Sequence, residues 1–326
     1  MNKLTQVLEM NLQFDRAAEI ERICSFIRSE VKRRGVRGVV IGLSGGLDST
    51  TCAYLCARCL PAVQIHLLSL PERDSSSAIH AHAQSAARAL SIPLEERDLS
   101  ELFNHLGLYG QVPRELAEDR PLLERSISIL GKLSRKPALY PWAQEYAFGR
   151  RRGFLAGLMR RKLWPYAGKT EMFIFGKVRA RMLVLSLKAM QLDCVLVCTT
   201  DRSEWSIGFY DPHGDGVGDI APLCHLYKTQ IRELARALGV ADEIIKQPSS
   251  GDLAGGLPNE TAIGLRYEQL DRVLVGLSLG IGDQEIAAVA GVQRSMVKAI
   301  RSACKLADQR RGTPVGSDNN TFPSRR

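Results

Sequence analysis

Val36-Arg37-Gly38-Val39-Val40-Ile41-Gly42-Leu43-Ser44-Gly45-Gly46-Leu47-Asp48-Ser49 is the stretch on which the fold turns. Its first half, Val36 to Leu43, is a short apolar run rich in β-branched residues, the pattern of a strand buried on both faces. Its second half breaks into a glycine loop and opens a helix from about Ser49 to Leu60. Two adjacent glycines let the backbone approach a ligand closely and turn N–H groups toward it. The positive end of the following helix favours the same anionic ligand, so the loop suits phosphate. Ser44 and Ser49 add hydroxyl donors. Asp48 repels phosphate by itself and makes sense there as a ligand of a divalent metal. The loop has neither the Gly-Lys-Ser/Thr of a kinase-type phosphate loop nor the GxGxxG spacing. A plain tight turn is the alternative.

The flanking sequence extends this pattern. Asp15 to Arg34 carries Ile20, Ile23, Phe26, Ile27 and Val31 at helical spacing, and Gly35 stops it. Val63 to Leu70 reads as a second strand, Ser75 to Leu90 as a helix and Leu94 to Leu99 as a third strand. Much later, Arg179 to Gln191 reads as a helix and Asp193 to Thr199 as a buried strand. Lys228 to Leu238 is a further helix, closed by Gly239. Alternating strands and helices predict an α/β fold, a doubly wound, mostly parallel sheet with helices on both faces. Ligands of such sheets sit at the carboxyl ends of the strands, where the glycine loop lies. We expect one domain over 1–311, with a C-terminal helical part at about 260–311. The tail 312–326, rich in Gly, Pro, Ser, Asn and Arg, is expected to be disordered.

The chain has 326 residues, 45% of them hydrophobic and 24% charged, which is ordinary for a globular protein. No apolar run is long enough for a membrane span, and Met1 to Arg16 lacks the apolar core of a secretory signal. The cytoplasm is the expected compartment. The net charge of +9 is concentrated. Between Gly131 and Thr170 ten lysines and arginines face Glu145 alone, so this segment holds the whole excess. It belongs to an insert at about 107–171 that interrupts the strand–helix rhythm and is interleaved with aromatic residues. A lid over an anionic ligand, a surface for acidic partners and a nucleic-acid grip are its functional readings; a solvated basic helix pair is the bland one. Gln284 to Ala303 resembles a helix-turn-helix, although any two short packed helices give that pattern. Cys52, Cys56 and Cys59 have an iron–sulfur spacing, but on a helix they read as core.

Taken with later segments, the Ser44–Ser49 loop resembles the SGGxDS signature of the N-type ATP pyrophosphatases, and within them the NAD synthetases. Leu70-Pro71-Glu72-Arg73-Asp74-Ser75-Ser76 is similar to a Pro/Arg/Ser element of that family. Thr199-Thr200-Asp201-Arg202-Ser203-Glu204 resembles its second metal-ligand motif. Gly208-Phe209, His213-Gly214-Asp215-Gly216, Asp219 and Pro222 look like its GF…GDG…D…P loop. Leu226-Tyr227-Lys228-Thr229-Gln230 matches its LYK element, and Pro248-Ser249-Ser250-Gly251, Glu260, Gly264 and Tyr267 follow in order.

The resemblance implies an adenine nucleotide alpha hydrolase-like fold and a ligase that forms a carbon–nitrogen bond. ATP would adenylate the nicotinate carboxylate of deamido-NAD, and ammonia would displace AMP. Asp48 and Lys228 would be catalytic. Ser44, Gly45, Gly46, Asp48, Ser49, Thr199, Lys228, Ser249 and Ser250 would bind ATP. Mg2+ would sit on Asp48 and Glu204. Lys177, Arg181, Asp215 and Glu260 would serve the acyl substrate. The family forms homodimers. With the glycine loop already near residue 40, no separate glutamine-hydrolysing domain is expected, and free ammonia or a partner glutaminase is the expected nitrogen source. No membrane partner is expected.

This sequence departs from the family on the acyl-substrate side. Gly-Asn before an ARxRM-like run appears as Gly176-Lys177-Val178-Arg179-Ala180-Arg181-Met182, with Leu183 where a second Arg is usual. A usual Lys is replaced by Pro212, and a His-Lys-Arg element appears as Gln309-Arg310-Arg311. A related pyrophosphatase that amidates or thiolates another carboxylate or a nucleobase is therefore the first alternative. A nucleic-acid-binding module is the less favoured one.

Overall fold

The computed structural model of the chain describes residues 3–112, 154–251 and 258–310. The bulk of the basic insert, 113–153, and the tail from 311 onward lie outside the described residues. The elements run α1 (Lys3–Leu12), α2 (Arg16–Arg34), β1 (Gly38–Gly42), α3 (Leu47–Cys59), β2 (Ile65–Ser69), α4 (Ser77–Leu90), β3 (Leu94–Glu96) and α5 (Ser100–His105). Then come α6 (Phe154–Leu192), β4 (Cys194–Leu196), α7 (Arg202–Ile207), α8 (Lys228–Leu238) and α9 (Asp242–Lys246). The chain closes with α10 (Asn259–Ile263), α11 (Tyr267–Ser278), α12 (Asp283–Ala290) and α13 (Arg294–Arg310).

Among the described residues the sheet has four strands in the order β3-β2-β1-β4, and every pairing is parallel. Strand β1 is central, with Val39 opposite Ile65 on one side and Val195 on the other. Alternation along the strands divides the core. Val39, Ile41, Ile65, Leu67 and Val195 face one way, onto Ile23 and Ile27 of α2, Leu55 of α3 and Leu234 of α8. Val40, Leu68, Cys194 and Leu196 face the other, onto Phe103 of α5 and Leu185 and Ala189 of α6. The sheet is covered on both sides, as a parallel sheet must be. A third apolar cluster joins Leu8 of α1 to Leu270, Ile286 and Val297 of α11 to α13.

The ends of α2 follow from its caps. Asp15 accepts from the N–H groups of Ala17 and Ala18, and Gly35 closes the helix in the left-handed conformation. The largest difference from the sequence reading is α6. Its expected start was Arg179, and upstream of it stand Pro165, Gly168 and Gly176, which are poor helix formers. Helix α6 instead runs from Phe154 through all three. At Gly176 the reason is packing, because a Cβ there would lie 2.6 Å from a methyl of Leu108. The third strand is also shorter than expected, ending at Glu96, since Ser100 already opens α5.

Candidate active site

Strand β1 delivers the chain directly into the Ser44–Ser49 loop, and α3 begins at Leu47. Gly45 has φ +89°, and a Cβ on it would fall 2.0 Å from the carbonyl oxygen of Ile79, so only glycine fits. The loop is braced by its own hydroxyls. Ser44 Oγ lies 3.0 Å from Ser49 Oγ and accepts from Gly46 N at 3.2 Å. From outside, Gln247 Nε2 donates to the Gly45 carbonyl at 2.8 Å.

Beside the loop lie Asp48, Asp201 and Glu204, whose carboxylate oxygens fall within 4.8 Å of one another. Asp201 caps α7 by accepting from Glu204 N at 2.8 Å, which fixes the two acids one turn apart. The Lys228 ammonium sits among all three, 2.7 Å from Asp48, 2.5 Å from Asp201 and 3.0 Å from Glu204. It is fully buried. Burial works against that charge, but Asp201, Asp48 and Glu204 outweigh it and hold Lys228 protonated well above the ordinary lysine range. Burial and the nearby Glu204 carboxylate push both Asp48 and Asp201 upward.

Three acids against one ammonium leave a surplus of negative charge. Asp48 Oδ1 is buried without a hydrogen-bond partner among the described residues. An all-oxygen donor set with surplus charge fits a hard divalent cation. Tyr267 OH and Asn259 Nδ2, the latter at 3.1 Å, both donate to Glu204 Oε1.

These groups border a cavity of about 450 Å³. Of the residues expected to bind ATP, Ser44, Gly46, Asp48, Ser49, Thr199, Ser249 and Ser250 line it, together with Glu204. Gly45 and Lys228 stand behind the wall rather than on it. The facing wall is α6, through Phe175, Val178, Arg181 and Met182. Arg181 Nε donates to the Leu70 carbonyl at 3.1 Å. Asp215 borders the cavity too; its Oδ1 accepts from Asp211 N at 2.7 Å, and its carbonyl accepts from Thr200 Oγ1 at 2.9 Å.

Two expected substrate residues are placed elsewhere. Lys177 is fully buried and reaches away from the cavity to Glu72 and Asp74, each at 2.7 Å. Its charge is satisfied there, and Tyr109 OH donates to the other Glu72 oxygen at 2.7 Å. Glu260 accepts from Tyr267 N at 2.9 Å and lies 3.6 Å from Arg232, so it braces the start of α11 rather than the cavity. Sequence reasoning in turn passed over Asp201. It stands inside the quoted Thr199–Glu204 motif, and its spacing from Glu204 across a helix start was the available signal.

The NAD synthase family model matches residues 19–118 and 175–314, leaving out most of the basic insert. The chain is 30% identical over 300 residues to the NH(3)-dependent NAD(+) synthetase of Coprothermobacter proteolyticus, covering 91% of this chain and 96% of that relative. The structure of NMN synthetase from Francisella tularensis superposes with a TM-score of 0.64 at 19% identity, over 94% of this chain and all of that one. An NH3-dependent NAD synthetase from Campylobacter jejuni superposes with a TM-score of 0.60 at 19% identity, over 92% of this chain and 98% of that one. A glycine loop, an acid trio and a buried lysine at the end of a parallel sheet thus occur in a sequence that the family model matches on both sides of its insert: the chain belongs to the NAD synthase family.

Proposed function

We propose that this protein is an ammonia-dependent NAD synthetase, which joins ammonia to the nicotinate carboxylate of deamido-NAD with cleavage of ATP to AMP and pyrophosphate. The observation that carries this reading is the meeting of the Ser44–Ser49 loop, the Asp48, Asp201 and Glu204 carboxylates and Lys228 at one end of a cavity walled by α6. The relative from Coprothermobacter proteolyticus, aligned over 96% of its length, bears that activity in its name.

A carboxylate is a poor acylating agent, so it needs a leaving group. In the first step its oxygen bonds to the α-phosphorus of ATP as the bond to pyrophosphate breaks. Backbone N–H groups of the loop and the positive end of α3 stabilise the departing pyrophosphate. Ser44, Ser49, Thr199, Ser249 and Ser250 supply hydroxyl donors from the same wall. Lys228 keeps a positive charge directly behind the acids. Asp48, Asp201 and Glu204 would hold Mg2+, whose charge would offset that of the triphosphate. In the second step ammonia attacks the acyl carbon, the bond to AMP breaks and the nitrogen loses a proton. Arg181 and Asp215 are assigned to the acyl substrate.

Two further features belong to this reading. A homodimer would cover the apolar face of α6, where Met172, Leu183, Leu187 and Met190 are exposed. No helix among the described residues is long and apolar enough to cross a membrane, and we place the enzyme in the cytoplasm. The withdrawal of Lys177 from the cavity favours one second reading, the same adenylation applied to a different carboxylate.

Product analysis with ATP, Mg2+, deamido-NAD and either ammonia or glutamine tests both. NAD, AMP and pyrophosphate are expected with ammonia. Pyrophosphate without NAD would favour the second reading. Asp48→Ala is expected to abolish ATP cleavage and leave the circular dichroism spectrum unchanged; full turnover by that variant would refute the role of the acid cluster.

A further inference from the structure

Two buried side chains that do not line the cavity hold its charged groups in place. Tyr267 and Asp271 are one turn apart on α11, so they share a face. Tyr267 donates to Glu204 Oε1. Asp271 is fully buried, and no cation among the described residues pairs with it. Its oxygens are instead consumed by two neighbouring helix starts. Oδ2 accepts from Thr229 N at 2.9 Å and from Thr229 Oγ1 at 2.7 Å. Oδ1 accepts from Ser203 Oγ, and Ser203 Oγ accepts from Lys228 N at 2.9 Å.

The relay answers a local need. The first N–H groups of a helix have no partner within it. In α8 these include Lys228 and Thr229, and the N-cap Tyr227 has no carboxylate or short hydroxyl to offer them. Asp271 supplies the cap from another helix, where a negative charge also complements the helix dipole. Ser203 lies between Asp201 and Glu204 on α7. One carboxylate thereby ties the backbone that projects Lys228 to the backbone that projects two of the three acids.

Burying such a carboxylate is expensive. Burial pushes its pKa up to about 6, against the hydrogen bonds from Ser203 and Thr229. An apolar residue in its place would leave the Thr229 N–H and the Ser203 hydroxyl without their buried acceptor, so the carboxylate is kept by the two helix starts it joins.

We propose that Asp271 is a positioning residue for the reaction, setting the Lys228 ammonium against the Asp201 and Glu204 carboxylates through Ser203 and Thr229. This rests on the adenylating activity proposed above. Wild-type enzyme therefore runs first; if it forms neither NAD nor pyrophosphate, that activity fails and not the assignment of Asp271.

Given an active wild type, steady-state kinetics of Asp271→Ala and Asp271→Asn, normalised to folded enzyme, make the test. Displacing a reacting group by about 1 Å can cost roughly 100-fold, so Asp271→Ala is expected to lower kcat by about that much, with KM for deamido-NAD changed less than about threefold. In Asp271→Asn the remaining oxygen still accepts from Thr229, and the amide nitrogen can donate to Ser203. That variant is expected to recover most of the lost kcat. Ser203→Ala breaks the relay at its midpoint and is expected to lower kcat about tenfold; it stands in if Asp271→Ala does not fold. In a Lys228→Gln background, removing the Asp271 carboxylate is expected to cost much less than it does in the wild type. Wild-type kcat in Asp271→Ala or Ser203→Ala, or losses that simply multiply in the double variant, would overturn the proposal.

Discussion

Gly45 concentrates two constraints on one residue. Its φ of +89° is costly for any side chain, and the Ile79 carbonyl occupies the space a Cβ would need. Gly45→Ala should therefore lose about 2 kcal/mol or more, because backbone on one side must move. Chemical denaturation will show a lowered midpoint with an unchanged slope, and the Gln247 bond to the Gly45 carbonyl will be disturbed with it. This constraint was legible in the sequence, since adjacent glycines between a strand and a helix have few other uses. So were Asp48 and Glu204. Asp271 was not legible as part of the site. It is 42 residues from Thr229 and 68 from Ser203, and only tertiary packing brings the three together. Lys177 was legible as unusual and misleading as to place. A lysine on a helix expected to bind substrate invites a ligand, but two acids in the Leu70–Ser76 segment had already claimed its charge.

At the scale of elements, that same ion cluster fastens the segment between β2 and α4 to α6. Lys177, Glu72 and Asp74 are almost wholly buried, and Arg73 lies over the Tyr109 ring at 3.7 Å. Breaking a buried pair by removing one partner typically costs about 3–5 kcal/mol, because the remaining charge is stranded. Lys177→Met leaves Asp74 only Arg73, at 2.9 Å, and Glu72 only the more distant Arg181, at 3.9 Å, as cations, and should lower the melting temperature by several degrees. Adding Glu72→Gln to Lys177→Met removes the buried carboxylate with the weaker remaining partner, and calorimetry should show part of that loss recovered. Helix identity was easier to read than helix extent. Caps such as Asp15 and Gly35 mark the ends of α2 in the sequence itself. The upstream reach of α6 was hidden, because Gly176 looks like a breaker until Leu108 is seen packed against it.

At the scale of the whole molecule, α6 has two unlike faces. Leu185 and Ala189 enter the core, while Leu183 at 59% and Met190 at 77% remain exposed with Met172 and Leu187. An apolar row of this length on a surface helix is a contact surface in search of a partner. The proposed homodimer makes a direct prediction. Sedimentation of the wild type should give twice the 36.0 kDa chain mass, and Leu183→Glu with Leu187→Glu should shift it toward the monomer. The doubly covered parallel sheet was legible as a class from alternating strands and helices. Which strand stands at its centre was not, because pairing between distant segments leaves no mark on either.

That central strand has a consequence for how the molecule is made. Gly38 pairs with Cys194, so β1 and its second neighbour are separated by about 155 residues of chain. At roughly 5–20 residues per second on the ribosome, one edge of Val39-Val40-Ile41 waits on the order of ten seconds or more for its mate. During that interval a strand whose Val39, Val40 and Ile41 are buried in the finished fold offers an open edge to any passing chain. Yield during synthesis, more than stability once folded, is where this topology makes its demand, and slower expression at lower temperature is the condition that suits it.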